Sequence, residues 1–271
     1  VLPRRLTAAT ITQELDMRRL AGTSLIAAAL FASACGPTKE AAKAADTTAA
    51  AAPTPPPPQA IVTVLYLWPK DTAKFEKYYP THLKIVGDHK QEIGFTRAEL
   101  TRFSSSLQGT KPEFYRQAEL YFPSMDALKA GIATAGFKAV GDDFRNFVAP
   151  DGLIALIAEE TGDASDTPCP ALATVVYGTP TSAADFEAYY PKHLAIVTAE
   201  KSAIGFVRAD LTKFVSNLDG TPPAVYRQAE LCFPSMEQLN TGVGSEAFAK
   251  VGNDFGNFVT GGLRGMIGVQ Q

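Results

Sequence analysis

Cysteine and histidine are both scarce in this chain, at three of each in 271 residues. Three cysteines without a CxxC spacing supply no disulfide framework, although a single bridge between Cys169 and Cys232 is open to a protein in an oxidising envelope. Three histidines leave little room for a His-rich metal site. Excess basic charge is missing too. The net charge is −3 and no basic cluster marks a groove for RNA or DNA, so no nucleic-acid partner is expected. No Walker loop, Rossmann fingerprint, HExxH or GxSxG is present, which leaves nucleotide, zinc-protease and hydrolase chemistry without support. There is no haem-attachment motif, and the expectation is that no cofactor is used.

What is present begins with an address. Residues 17–34 read MRRLAGTSLIAAALFASA. Arg18 and Arg19 form a short basic region. An apolar run at 25–31 is too short to span a membrane as a mature helix, and Ala32, Ser33 and Ala34 suit a cleavage site. Cys35 follows at once. The pattern resembles a bacterial lipoprotein signal, with cleavage before Cys35 and acylation of its thiol. Secretion with cleavage at the same bond is the alternative. Residues 1–16 fit no signal layout, so Met17 is read as the true start and 1–34 as upstream extension plus signal peptide. Gly36, not aspartate, follows the cysteine. The resemblance then implies a lipid anchor in the outer rather than the inner membrane, facing the periplasm. Residues 35–60 are rich in Ala, Thr and Pro, cannot bury a core, and read as an extended tether.

The remainder is a tandem repeat. His82 aligns with His193, an offset of 111 residues from 82 to 193, and the same offset aligns Thr63 with Thr174, Phe95 with Phe206 and Val148 with Val259 without a gap. A period that long is a domain duplication rather than a solenoid. The copies are placed at 61–160 and 171–271, joined by a Gly/Asp/Ser/Thr/Pro-rich linker at 161–170. Within copy one, 61–67 is β-branched and apolar, as a buried strand is. Residues 71–90 have helical spacing, with Asp71 or Thr72 as cap and Pro80 expected to start, kink or divide the helix. Residues 95–103 and 113–122 alternate as strands. Ser124 caps a helical stretch broken near Gly131 and Gly136, and 153–158 is a final strand. The order βαββαβ is the ferredoxin-like split unit. The predicted fold is therefore α+β, with two such repeats paired as an intramolecular barrel and helices outside. That pairing predicts a pseudo-dimer within one chain and a monomer in solution.

Strand alternation assigns the two faces. Helices cover the apolar parity, so the polar parity faces the lumen. This places Arg97, Glu99, Tyr115 and Glu119 inside from copy one, and Arg208, Asp210, Tyr226 and Glu230 inside from copy two. The set either orients a polar or phenolic ligand or fills the barrel as a partly hydrated ion-pair lining.

With these residues in place, the chain resembles the EthD family of the dimeric α/β-barrel superfamily. The resemblance is carried by Tyr66 with Pro69, by FEKYYPTHLKIV at 75–86, by Ala118, Glu119, Leu120 and Phe122, and by Asp143, Phe144, Asn146 and Phe147. The equivalent set recurs as Tyr177 with Pro180, then 186–197, 229–233 and 254–258. The family usually builds its barrel from two chains. Some relatives in aromatic polyketide pathways are decarboxylases, dehydratases or cyclases, and other superfamily members are quinol monooxygenases or haem enzymes.

The candidate acid–base residues are His82 and His193. Phe75, Tyr79, His82 and Val86 share one helical stripe, so His82 points inward. Tyr78 and Tyr79, and Tyr189 and Tyr190 in copy two, stand four and three residues before their histidine. An imidazole with a tyrosine in reach suits enolisation, cyclisation or loss of water, while a buried histidine kept for packing leaves the same trace. Asp143 and Asp254 are read as fixing a helix end or a loop rather than binding a metal. Three functions stay open: a lyase-, cyclase- or dehydratase-like enzyme acting on a small hydrophobic or phenolic compound, a non-catalytic module binding such a compound at the membrane, and a monooxygenase or haem-linked barrel.

Overall fold

The computed structural model describes residues 58–162 and 168–271. The expected signal peptide, Cys35 and most of the tether lie outside the described residues. The first half runs β1 (Gln59–Leu67), α1 (Thr72–Asp88), α2 (Lys90–Ile93), β2 (Arg97–Ser106), β3 (Phe114–Phe122), α3 (Met125–Ile132), α4 (Ala135–Asp143) and β4 (Leu153–Gly162). The second runs β5 (Ala171–Tyr177), α5 (Ala183–Ile204), β6 (Arg208–Asn217), β7 (Arg227–Phe233), α6 (Met236–Val243), α7 (Glu246–Asp254) and β8 (Leu263–Gln270). Ladder pairing reaches into both expected connectors: Gln59 pairs with Glu160, and Gly162 with Asp210.

The strands close into one antiparallel barrel in the order β1-β3-β2-β8-β5-β7-β6-β4. Each half contributes a four-strand block, and two seams, β2 with β8 and β4 with β6, join the blocks. Closure leaves no unpaired edge on either block. The two ferredoxin-like repeats thus form the barrel within a single chain.

Local chemistry fixes the helices. Asp71 and Ser182 cap α1 and α5 by accepting from the backbone N–H of Lys74 and Asp185. Contrary to expectation, α1 runs through Pro80 unbroken, as α5 does through Pro191. The hydrogen bond lost at proline is offset by the buried stripe Phe75, Tyr79, His82 and its counterpart Phe186, Tyr190, His193. Gly131 sets the approach of α3 to the end of α2, since a Cβ there would meet the Ile93 carbonyl oxygen at 2.2 Å; Gly242 faces Ile204 in the same way.

The interior of the barrel is divided. One part is apolar, formed by Ile61, Leu65, Phe103, Leu156, Val176, Phe214 and Met266. The other is polar and buried, and holds Glu119, Glu160, Asp210 and Glu230 with Gln117, Gln228, Thr63 and Thr174. Its centre follows the pseudo-two-fold: Gln117 Nε2 donates to Glu230 Oε1 (3.2 Å) and Gln228 Nε2 to Glu119 Oε1 (3.4 Å). Burial, and then repulsion from neighbouring carboxylates, push Glu119 and Glu230 well above the usual carboxylate range. The same causes push Glu160 up to about 9. The expected ion-pair lining therefore exists only in part, because burial favours neutral carboxyls over paired charges. Arg97 pairs with Glu99 and stacks over the Tyr121 ring, and Arg208 donates to Asp210 at 2.9 Å. Cys232 stands where the first half has Tyr121, and it is bridged to Cys169.

Candidate functional site

Two equivalent constellations lie on the outer face of the barrel, under the long helices. In the first, His82 is 2 % exposed and its Nδ1 lies 2.8 Å from Asp143 Oδ2. Tyr78 Oη and Asn146 Nδ2 each donate to Asp143 Oδ1 at 2.8 Å. Burial alone would raise Asp143, but the hydrogen bonds from His82, Tyr78 and Asn146 hold it below its ordinary value, so it is ionised. An ionised carboxylate only accepts, so Nδ1 carries the proton and Nε2 is left for the cavity that His82 lines. Phe144 and Phe147 pack on the imidazole, with ring centroids 4.8 and 4.9 Å away. Burial pulls His82 below the usual histidine range, outweighing the upward pull of Asp143, and so leaves Nε2 a bare acceptor at neutral pH.

The second half repeats this arrangement. His193 Nδ1 is 2.9 Å from Asp254 Oδ2, Tyr189 Oη and Asn257 Nδ2 both bond Asp254 Oδ1, and His193 is likewise lowered by burial.

Each histidine opens on its own cavity between sheet and helices, of about 250 Å³ in the first half and about 330 Å³ in the second. The walls are mainly Val, Leu, Ala and Phe side chains. Tyr79 and Tyr190 share the cavities with the histidines. Both are 3 % exposed, and neither hydroxyl makes a hydrogen bond of normal geometry among the described residues, although the Tyr66 hydroxyl interacts with that of Tyr79. A buried hydroxyl without a partner is costly unless something that enters the site satisfies it. Burial pushes both phenols up to about 12, against the lowering pull of Arg116 and Arg227. They therefore stay protonated, as donors. Arg116 lies over the Tyr79 ring at 4.7 Å, held by two hydrogen bonds to Glu76, and Arg227 repeats this over Tyr190 with Glu187.

The structure thus separates the sequence candidates. His82, His193, Tyr79 and Tyr190 line the cavities. Tyr78 and Tyr189 sit behind the histidines and lock the aspartates. Glu119, Glu230, Arg208 and Asp210 occupy the lumen, on the opposite face of the sheet from both histidines, and Arg97 and Glu99 border an open cleft at the barrel mouth. Tyr115 and Tyr226 correct the expected parity. Tyr66 pairs with Arg116 and Leu67 with Phe114, so Tyr115 is the extra residue of a β-bulge and turns outward to bond Glu76. Tyr226 precedes the first paired residue of β7 and bonds Glu187 at 2.7 Å.

Sequence reasoning missed Asp143 and Asp254 as partners of the histidines, and it missed Glu160 in the lumen. The signal for the aspartates was present, since Asp-Phe-x-Asn-Phe recurs at the same offset as the histidines. Among the described residues, no three His, Cys, Asp or Glu side chains are grouped to hold a metal ion.

Known proteins resemble this chain on two scales. The EthD domain matches residues 69–151. An uncharacterized 11.0 kDa protein in the thcB-thcC intergenic region of Rhodococcus erythropolis is 31% identical over 100 residues, which cover 36% of this chain and 92% of that protein. A crystallised EthD-family protein of Bacillus halodurans is 28% identical, with 36% of this chain and 95% of that one covered and a TM-score of 0.32. Over both halves, an anthrone oxidase-like protein shares the fold at 12% identity, covering 80% of this chain and 92% of its own, with a TM-score of 0.52. One half of this molecule thus corresponds to nearly the whole of its small relative, and the chain belongs to the EthD family.

Proposed function

We propose that each half of the barrel is a cofactor-independent proton-transfer site for a small hydrophobic or phenolic compound, carried by a monomer anchored in the cell envelope. The observation that carries the reading is the pairing, in each cavity, of a histidine with a free Nε2 and a buried tyrosine hydroxyl that makes no hydrogen bond of normal geometry. A carbonyl compound seated there would lose a proton from the carbon next to its carbonyl to His82 Nε2. The electron pair moves onto the carbonyl oxygen, which accepts from the Tyr79 hydroxyl, with the Arg116 guanidinium behind the ring. Asp143 holds the imidazole in the required tautomer and steadies the imidazolium. Return of the proton at another position gives isomerisation. Its delivery to a leaving hydroxyl gives dehydration, and attack of the enolate on a second carbonyl gives cyclisation. The apolar walls exclude water from the charged intermediate.

The envelope location is supported by the signal-like segment before Cys35 and by the Cys169–Cys232 bridge, which suits an oxidising compartment. No helix among the described residues is long and apolar enough to cross a membrane.

The test is deuterium exchange at the methyl group of acetophenone in deuterium oxide, followed by proton NMR. The wild-type protein accelerates exchange, and the His82→Ala/His193→Ala variant does not. Equal rates for the two proteins would sink the reading. Saturable binding with no acceleration by wild type would instead leave a non-catalytic binding module.

A further inference from the structure

Each cavity carries a single formally charged side chain on its walls, and it is a lysine in the same position in both halves. It is Lys90 in the first cavity and Lys201 in the second. We infer that the cavities take ligands with an apolar body and an anionic end, a carboxylate in the simplest case, and that these lysines hold the anion while the histidine works at the other end. The inference rests on the proton-transfer reading for what happens at the histidine, but not for the anion itself.

Three observations carry it. The first is alignment. In α5, which is unbroken from Ala183 to Ile204, His193, Val197 and Lys201 follow at steps of four, on one face of the helix. Eight residues advance about 12 Å along the axis, so imidazole and ammonium stand roughly that far apart along one wall. The second is fixed placement. The Lys90 and Lys201 ammonium groups each lie 5.5 Å from the centroid of the equivalent ring, Phe95 or Phe206. Both halves keep this contact although the adjacent wall residue is Gly87 in one and Thr198 in the other. The third is charge. Lys90 makes no ion pair among the described residues, whereas Lys84, Lys138 and Lys250 each have a carboxylate partner within 4 Å. Lys90, a cation bordering an apolar cavity and making no ion pair there, selects for a ligand that brings a negative charge. The competing account is that the lysine stem merely covers apolar wall while the ammonium stays in water. That account predicts no preference for anions.

The probes are ω-benzoylalkanoates with two, four or six methylenes, each compared with its methyl ester. They combine an apolar ring, an enolisable carbon and a removable negative charge. Calorimetry on the intact protein is expected to show the acids binding about tenfold tighter than the esters, with an optimum at one chain length. Lys90→Met with Lys201→Met erases the preference, and Lys90→Arg with Lys201→Arg retains it and reports that the fold tolerates change at these positions. Equal affinity of acid and ester, a preference that survives in the methionine variant, or no binding by any member overturns the inference. Deuterium exchange next to the ketone is measured on the same samples. Acid selectivity without exchange keeps the anion site and removes the proton-transfer reading, while exchange without selectivity does the reverse.

Discussion

The two faces of this one sheet bury ionisable groups to opposite ends. Inside the barrel, Glu119 and Glu230 are enclosed by threonine and glutamine partners contributed by both halves. Burial favours their neutral form, and both are 1 % exposed. Outside the barrel, the histidines are equally buried, but one nitrogen is tied to an aspartate and the other is left over. Degree of burial alone does not distinguish the two settings. Gln117 Oε1 and Gln228 Oε1 in the lumen lack a partner as the tyrosine hydroxyls do, so what sets the outer groups apart is the cavity in front of them.

The largest way to break this contrast is to remove both outer imidazoles. His82→Ala with His193→Ala is expected to lower catalysed exchange by about 10²–10⁴, the ordinary contribution of a positioned acid–base group, with unchanged far-UV circular dichroism. Next is the bridge that belongs to the lumen side. Cys169→Ser is expected to cost about 2–4 kcal/mol in urea unfolding, since the Cys169–Cys232 bridge closes a 63-residue separation, and to leave exchange by the outer sites intact. A smaller effect sharpens the role of the aspartate. Asp143→Asn, made in a His193→Ala background so that only one site is live, is expected to slow exchange about 10–100-fold. Because Asp143 raises the His82 pKa against burial, its loss moves the pH–rate midpoint further down from 6.5, and an upward movement would contradict the assignment.

The smallest effect concerns the lumen alone. The Glu160 pKa rises from 4.5 to about 9 on folding, so its contribution to stability is fully present below pH 4.5 and is lost as pH climbs towards 9. Glu160→Gln is expected to flatten that decline, gaining about 1–3 kcal/mol over wild type above pH 9, as read from urea midpoints across pH. A parallel decline in both proteins would show that Glu160 is not the group responsible.

Much of the architecture was legible because it rests on patterns repeated twice. The β-branched run at 61–67, the helical stripe ending in His82 and the 111-residue offset together specify a ferredoxin-like unit and its internal partner. Two kinds of information were not legible. Contact across the chain was one: Asp143 lies 61 residues from His82, and helical periodicity turns His82 inward without saying what it meets. Local irregularity was the other. Period-two counting assumes an unbroken ladder, and the bulge at Tyr115 turns that side chain to the helices. The same counting succeeded for Glu119, where the ladder is regular, pairing it with Thr63 on one side and Glu99 on the other.

Joining the halves in one chain also changes what mutation can explore. In an assembly of two identical subunits, any substitution arrives twice, and both sites must tolerate it together. Here a change in one cavity leaves the other as it was. Tyr121 and Cys232 occupy matched positions with unrelated chemistry, and Gly87 and Thr198 already give the two cavities different walls. Covalent fusion has in this sense released each pocket from its twin, so that the two cavities are free to diverge around the same His–Asp pair.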